Sequence, residues 1–233
     1  MDKTQSFAQQ IDAAIAKYDL LCHPFYQAWS MGELTRDSIS RYACYYYPHV
    51  AAFPGYLGTL AERLPQGEVR EMVLSNKEDE EAPQARSHAA LWVDFACGMG
   101  ASEEQAKATK ELPEMSALVE HFNNVAQTGS TVEALAAFYA YESQIPRVAA
   151  EKEAGLKQRY GADDRTAYYF TLHKAYDIQH SKTWLELLEK QIAGDEKAHK
   201  AALAAAESAA KSLWQALDGI EQNRVSQLAA SRN

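Results

Sequence analysis

Residues 173–180 read HKAYDIQH and lie within the longer segment TAYYFTLHKAYDIQHSKTWLELLEKQIAG. Here His173, Asp177 and His180 follow one another at intervals of four and three residues. On a helix that advances 3.6 residues per turn, this spacing places all three side chains on one face. Two imidazoles and a carboxylate suit a transition metal better than Ca²⁺ or Mg²⁺, which prefer oxygen ligands. The segment therefore predicts a long helix that carries part of a metal site.

The rest of the chain also has the apolar periodicity of amphipathic helices, and no stretch alternates as a strand does. We predict an all-α bundle that forms one domain over residues 1–233, with a polar C-terminal tail from about residue 222. The first helix is predicted over residues 4–21. Pro48 and Pro54 should kink or break a later helix, and Pro146 should kink a helix over residues 130–161.

Composition limits the classes of function. The chain has 233 residues, 47% of them hydrophobic, which is enough for a substantial core. Its net charge of -9 and the lack of a Lys and Arg cluster exclude nucleic acid as an expected partner. We find no signal peptide and no span of membrane length, so we expect a cytoplasmic protein with no membrane partner. Cys22, Cys44 and Cys97 lack the spacing of a zinc site and are expected to be reduced thiols.

Further candidate ligands lie upstream of the opening segment. Glu81 and His88 are seven residues apart, which would align them on an uninterrupted helix, although Pro83 lies between them and Glu80 or Glu78 could replace Glu81. Glu142 lies in the apolar segment YAYESQIP, where a buried carboxylate needs a partner such as a metal ion. Three histidines and three carboxylates suit two iron or manganese ions in a helical bundle.

Other polar residues have simpler interpretations. His23, His49 and His121 are expected to have structural or surface roles. By its sequence context alone, Lys152 in the charged run EKE would be a solvated surface residue, and Tyr26 an anchoring aromatic.

Three segments together carry a resemblance to a known family: HPFYQAWSMGELT, YAYESQIPRVAAEKEAGL and HKAYDIQH. They resemble the CADD-like proteins, which are self-sacrificing p-aminobenzoate synthases, and the similarity extends from the first helix to about Lys190. The resemblance implies a seven-helix haem-oxygenase-like bundle with two non-haem metal ions, Fe/Fe or Mn/Fe. The ligands that it implies are Glu81, His88, Glu142, His173, Asp177 and His180.

The resemblance also implies a reaction. A dioxygen-dependent, single-turnover oxidoreductase would excise the side chain of Tyr26 as the ring of p-aminobenzoate, which serves folate biosynthesis, and Lys152 would donate the amino group. Its partners would be dioxygen and an electron donor. We expect a homodimer because this is the commonest symmetric assembly.

Two other functions stay open. One is a multiple-turnover dimetal oxidase of the same fold that acts on a small external substrate. The other is a non-catalytic helical interaction protein, which should bind no redox metal and tolerate replacement of His173 and His180. A haem oxygenase is disfavoured because one axial histidine would leave the carboxylates unexplained.

Overall fold

The computed structural model describes residues 5–82 and 84–230, so Thr4 and Pro83, which the sequence analysis used, lie outside the described residues. The described chain folds into α-helices and one 3₁₀-helix at Leu20–Cys22, without a strand, which confirms the predicted all-α bundle. The helices are α1 Phe7–Ala16, α2 Pro24–Met31, α3 Arg36–Arg63, α4 Glu68–Glu81, α5 His88–Met99, α6 Glu103–Ala108, α7 Pro113–Thr128, α8 Thr131–Glu142, α9 Ile145–Arg159, α10 Asp164–Ile192 and α11 Glu196–Ala230.

The described residues form eleven α-helical segments, several of them short, where the resemblance implies a bundle of seven helices. The first predicted helix, over residues 4–21, consists of α1 followed by the separate 3₁₀ turn. The predicted tail from about residue 222 is helical up to Ala230, as part of α11.

Proline positions explain two differences from the sequence-based expectation. Pro48 and Pro54 lie inside α3, which is one continuous 28-residue helix, so the predicted break is wrong. Pro146 does not kink a long helix but lies in the first turn of α9, after α8 has ended at Glu142. Proline is tolerated there because the first-turn N–H groups have no helical acceptor.

The short helix α2 is fixed at its start by a side-chain cap. The Nδ1 atom of His23 accepts a hydrogen bond of 3.1 Å from the backbone N–H of Phe25, and Pro24 occupies the first turn. The same imidazole is buried against the ring of Trp214 on α11, with 4.7 Å between ring centroids. This structural role, as expected for His23, holds α2 and its Tyr26 in the core.

The centre of the bundle is α8, whose side chains are almost all buried. It packs against α10 and α11, while α10 also packs against α5 and α9. Helix α4 contacts both α5 and α10. Side chains of α4, α5, α8 and α10 therefore surround one buried volume. Among the helices of residues 5–82 and 84–230, none is long and apolar enough to cross a membrane.

Candidate functional site

Six buried or nearly buried side chains form two adjacent clusters between α4, α5, α8 and α10. Within each cluster, one potential ligand atom per residue lies within 4.8 Å of the others. The first cluster consists of Glu80, His88 and His173, and the second of Glu142, Asp177 and His180. The stripe on α10 therefore divides, with its first residue in one cluster and the other two in the second.

Glu81, which was predicted as a ligand, does not lie in either cluster. Its side chain is 49% exposed and accepts a hydrogen bond of 2.6 Å from Lys77. Glu80 instead lies in the buried volume, with its Oε2 atom 2.7 Å from Nδ1 of His88. Successive residues on a helix point about 100° apart, so the packing of α4 selects one glutamate over its neighbour. Because α4 ends at Glu81 and α5 begins at His88, the two residues do not lie on one uninterrupted helix.

The first cluster contains a buried ion pair and two imidazoles. Burial alone would lower the pKa of His88, but the charge of Glu80 outweighs it and raises this pKa. Burial acts against ionisation of Glu80, yet His88 holds the pKa of that carboxyl below its usual value. His173 lies beside His88, with 4.4 Å between ring centroids, and its Nδ1 atom is 2.7 Å from the carbonyl oxygen of Tyr169. If Nδ1 donates to this carbonyl, the lone pair of Nε2 is left for a metal ion.

The second cluster places two carboxylates close together. Glu142 accepts hydrogen bonds from Nδ2 of Asn76, at 3.1 and 3.2 Å, and from Nε1 of Trp184, at 2.7 Å. The Nδ1 atom of His180 lies 3.7 Å from Glu142 and 3.6 Å from Asp177. Burial, together with the negative charge of Asp177, raises the pKa of Glu142.

These surroundings fit bound metal cations. Glu80, Glu142 and Asp177 are each at most 6% exposed, and burying several carboxylates together is costly without positive charge. The Nδ1 atom of His180 is buried and has no hydrogen-bond partner among the described residues. Imidazole and carboxylate donors in both clusters match the preference of iron and manganese.

Tyr26 and Lys152 lie next to each other in the core. The Nζ atom of Lys152 donates a hydrogen bond of 2.8 Å to the hydroxyl of Tyr26 and another to the hydroxyl of Tyr42. The two hydroxyl groups are 3.0 Å apart. Lys152 is only 5% exposed, so its interpretation as a solvated surface lysine is wrong. Burial lowers the pKa of Lys152 well below its usual value and raises the pKa values of both tyrosines.

A series of aromatic rings connects this lysine site to the first cluster. Ring centroids are separated by 6.2 Å from Tyr26 to Tyr42, 5.8 Å from Tyr42 to Trp92, and 4.8 Å from Trp92 to Tyr169. Tyr169 then stacks on His173 at 4.0 Å. The two halves of the site are thus in contact through the core.

The first cluster borders a groove that lies on a different side from Tyr26 and Lys152. A groove of about 820 Å³ lies between the α4–α5 connection and α10, and His88 forms part of its wall. Tyr168, Leu172 and Tyr176, at intervals of one turn on α10, line the same groove. By contrast, Tyr26 and Lys152 border a small internal cavity of about 20 Å³.

Several contributors were missed by sequence reasoning. Asn76 contacts Glu142, and Asp79 contacts His180, yet both are ordinary residues of a polar helix in the sequence. In the sequence, Tyr42 looks like any other aromatic residue of the core. No local pattern identifies these residues, because their partners come from distant parts of the chain.

Comparisons with known proteins agree with this architecture. Residues 40–214 match the model of a family described as iron-containing redox enzymes. The chain is 38% identical over 230 residues to a protein of Nitrosomonas europaea named 4-aminobenzoate synthase, covering 94% of this chain and 93% of that one. A protein of the same name from Chlamydia trachomatis is 36% identical over 221 residues, covering 94% of each.

Solved structures show the same fold. A TenA homologue from Pseudomonas syringae superposes with a TM-score of 0.81 at 18% identity, covering 93% of both chains. A CADD-like protein from Nostoc punctiforme superposes with a TM-score of 0.74 at 14% identity, covering 95% of both chains. The chain therefore belongs to the family of iron-containing redox enzymes with a haem-oxygenase-like fold, and it is a homologue of the proteins named 4-aminobenzoate synthase.

Proposed function

We propose that this protein makes 4-aminobenzoate, which is p-aminobenzoate, by consuming the side chain of its own Tyr26 with Lys152 as the amino donor. The observation that carries the proposal is the hydrogen bond of 2.8 Å between the Lys152 amine and the Tyr26 hydroxyl, both buried and connected to the first cluster of candidate metal ligands by a series of aromatic rings. Relatives named 4-aminobenzoate synthase support the same product.

The positions of the two groups match the product. In 4-aminobenzoate the amino group is opposite the carboxyl group on the ring, as the hydroxyl of tyrosine is opposite its Cβ atom. An amine that replaces the hydroxyl of Tyr26 therefore has to approach the ring at the hydroxyl-bearing carbon. The Nζ atom of Lys152 lies at that end of the ring, 4.3 Å from the ring centroid.

The protonation states also favour an amine that can react. Burial lowers the pKa of Lys152 and so favours the neutral amine, which has a free electron pair. Tyr26 keeps its proton at neutral pH because burial raises the pKa of the phenol. The hydroxyl of Tyr42 positions the amine, since it accepts a second hydrogen bond from Lys152.

The two clusters would hold two non-haem metal ions, either two iron ions or one iron and one manganese ion. When bound, such ions provide the oxidising chemistry, with dioxygen as the oxidant and an external electron donor, that breaking an unactivated carbon–carbon bond needs. The oxidisable rings between Tyr26 and His173 offer a path for electrons through the core. The surrounding aromatic side chains exclude bulk water from Tyr26.

Several wider features belong to the proposal as well. The product would enter folate biosynthesis, each chain would react once, and the protein would act in the cytoplasm as a homodimer. A single turnover follows from the chemistry, because a chain that has lost the side chain of Tyr26 cannot repeat the reaction.

The test is to load the purified chain with iron, or with iron and manganese, and to add a reductant and air. We expect at most about one equivalent of 4-aminobenzoate, and a chain that has lost mass at Tyr26 and, because the Cε–Nζ bond of the amino donor breaks, the Nζ nitrogen at Lys152. Protein labelled with ¹⁵N only in lysine should yield ¹⁵N-labelled product. Product without mass loss at Tyr26, or unlabelled product, would contradict the proposed sources of the ring or the nitrogen.

One observation favours a second candidate function, a multiple-turnover oxidase for a small external substrate. The groove of about 820 Å³ beside His88 has the volume of a small-molecule site. Such an enzyme would consume its substrate over many cycles and leave Tyr26 and Lys152 intact. The mass of the chain after the reaction therefore separates the two functions.

A further inference from the structure

One face of α4 contacts ligand residues from three other helices. Glu80 pairs with His88 of α5, Asn76 with Glu142 of α8, and Asp79 with His180 of α10. Only the first of these α4 residues belongs to a candidate ligand cluster. The roles of Asn76 and Asp79 therefore need a separate explanation.

The contact of Asp79 determines how His180 is oriented. Oδ2 of Asp79 lies 3.1 Å from Nε2 of His180, so the acceptor carboxylate favours the tautomer that carries its proton on Nε2. The electron pair of Nδ1 then faces Glu142 and Asp177, at 3.7 and 3.6 Å. Two carboxylates and an imidazole electron pair directed at one another repel unless a proton or a metal cation lies between them, and a bound metal ion would take the place of that proton.

Asn76 orients another candidate ligand of the second cluster, Glu142. Its Nδ2 atom donates to both carboxylate oxygens of Glu142, whereas its Oδ1 atom is buried with no partner in the part of the chain that the structure describes. An unpaired buried carbonyl destabilises the folded state. Fold stability therefore does not explain an asparagine here, but holding the carboxylate of Glu142 does.

We propose that Asp79 and Asn76 are positioning residues that prepare the second cluster for its metal ion, Asp79 by presenting Nδ1 of His180 as the ligand atom and Asn76 by orienting Glu142. This inference rests on the proposed function, because it assumes two bound metal ions. A carboxylate that holds a ligand histidine in this way typically increases metal affinity about 10- to 100-fold.

The experiment titrates the metal-free full chain with Co²⁺ without oxygen, and follows the absorption of each bound ion and its competition with a chelator. In Asp79→Leu and Asn76→Leu we expect the dissociation constant of the ion in the second cluster to rise about 10- to 100-fold and the visible spectrum of that ion to change. The ion in the first cluster should be unaffected. Asp79→Asn keeps an acceptor oxygen and should bind both ions within about threefold of the unchanged protein. Glu78→Leu is the matched control, since Glu78 is the exposed neighbour in the same groove wall.

Thermal melting of the metal-free variants distinguishes positioning from a structural role. We expect Asn76→Leu to melt at or above the temperature of the unchanged protein, because the unpaired Oδ1 atom is removed. Unchanged binding of both ions in the two leucine variants would overturn the inference, as would a lower melting temperature with loss of both ions. An unchanged chain that binds no metal at all would instead overturn the proposed function, and this inference with it.

Discussion

The Nζ atom of Lys152 lies 2.8 Å from the hydroxyl oxygen of Tyr26, although the two residues are 126 positions apart in the chain. Both side chains are buried, and the hydroxyl of Tyr42 completes a three-membered hydrogen-bonded group. A lysine in such a place is costly, because its charged form is separated from water. This destabilising burial of Lys152 occurs at the point where the proposed reaction needs a neutral amine.

Replacing Lys152 by methionine should therefore make the protein more stable and inactive. Methionine fills a similar volume without an amine, and the hydroxyls of Tyr26 and Tyr42 still bond to each other. We expect the free energy of unfolding at pH 7 to rise by about 1 to 3 kcal/mol, measured by urea denaturation of metal-free protein. Lys157→Met on the same helix removes two partly exposed ion pairs, with Glu153 and Asp164, and should change stability far less than Lys152→Met does. A less stable Lys152→Met variant would contradict this account.

The gain in stability from Lys152→Met should depend on pH. In the folded protein burial lowers the pKa of Lys152, whereas in the unfolded chain it is near its ordinary value of 10.5. Between these two pKa values the unfolded chain binds one proton more, so the stability of the unchanged protein rises with pH relative to the variant. Denaturation curves of both proteins at several pH values between 7 and 9.5 should show that the difference between their free energies of unfolding becomes smaller as the pH rises. A constant difference would mean that Lys152 has the same protonation in both states.

The two tyrosines that contact Lys152 should respond differently to loss of the hydroxyl. Tyr26→Phe should abolish formation of 4-aminobenzoate, because the amine has no oxygen-bearing ring carbon to approach. Tyr42→Phe removes one hydrogen bond to the amine, worth about 1 kcal/mol, and should slow product formation up to about tenfold. Intact-mass analysis should still locate the loss at Tyr26 in the Tyr42→Phe variant. Mass loss at Tyr42 in the unchanged protein would reverse the assignment.

Neighbouring glutamates on α4 should differ in metal binding. Glu80→Gln removes a buried carboxylate from the first cluster, so we expect about one tightly bound iron ion per chain where the unchanged protein binds about two. Glu81→Gln removes only a surface pair with Lys77 and should bind as the unchanged protein does. Elemental analysis after anaerobic loading and desalting measures both. Equal loss in the two variants would place Glu81 at the site.

Removal of metal should lower the melting temperature of the unchanged chain. Bound cations offset the repulsion between Glu142 and Asp177, and a ligand present at 100 times its dissociation constant adds about 2.7 kcal/mol of stability. Melting curves with Mn²⁺ and with a chelator should therefore separate, and Asp177→Asn, which relieves the repulsion, should reduce the separation. Identical curves would mean that the folded chain holds no Mn²⁺ at these clusters.

The sequence by itself determined the local features of this protein. The apolar periodicity predicted the helices, and the spacing of His173, Asp177 and His180 placed them on one face, because both depend only on the 3.6-residue repeat of a helix. Sequence segments also carried the family resemblance, which the homologues confirm.

Only the tertiary structure decided which residues meet. The choice of Glu80 over Glu81 is a rotation of about 100° on α4, and it depends on the packing of that helix against α5 and α10. The burial of Lys152 and its contact with Tyr26 depend on α9 and α2 lying together, which no local spacing encodes. Local periodicity decides which way a side chain points on its own helix, and long-range packing decides what it faces.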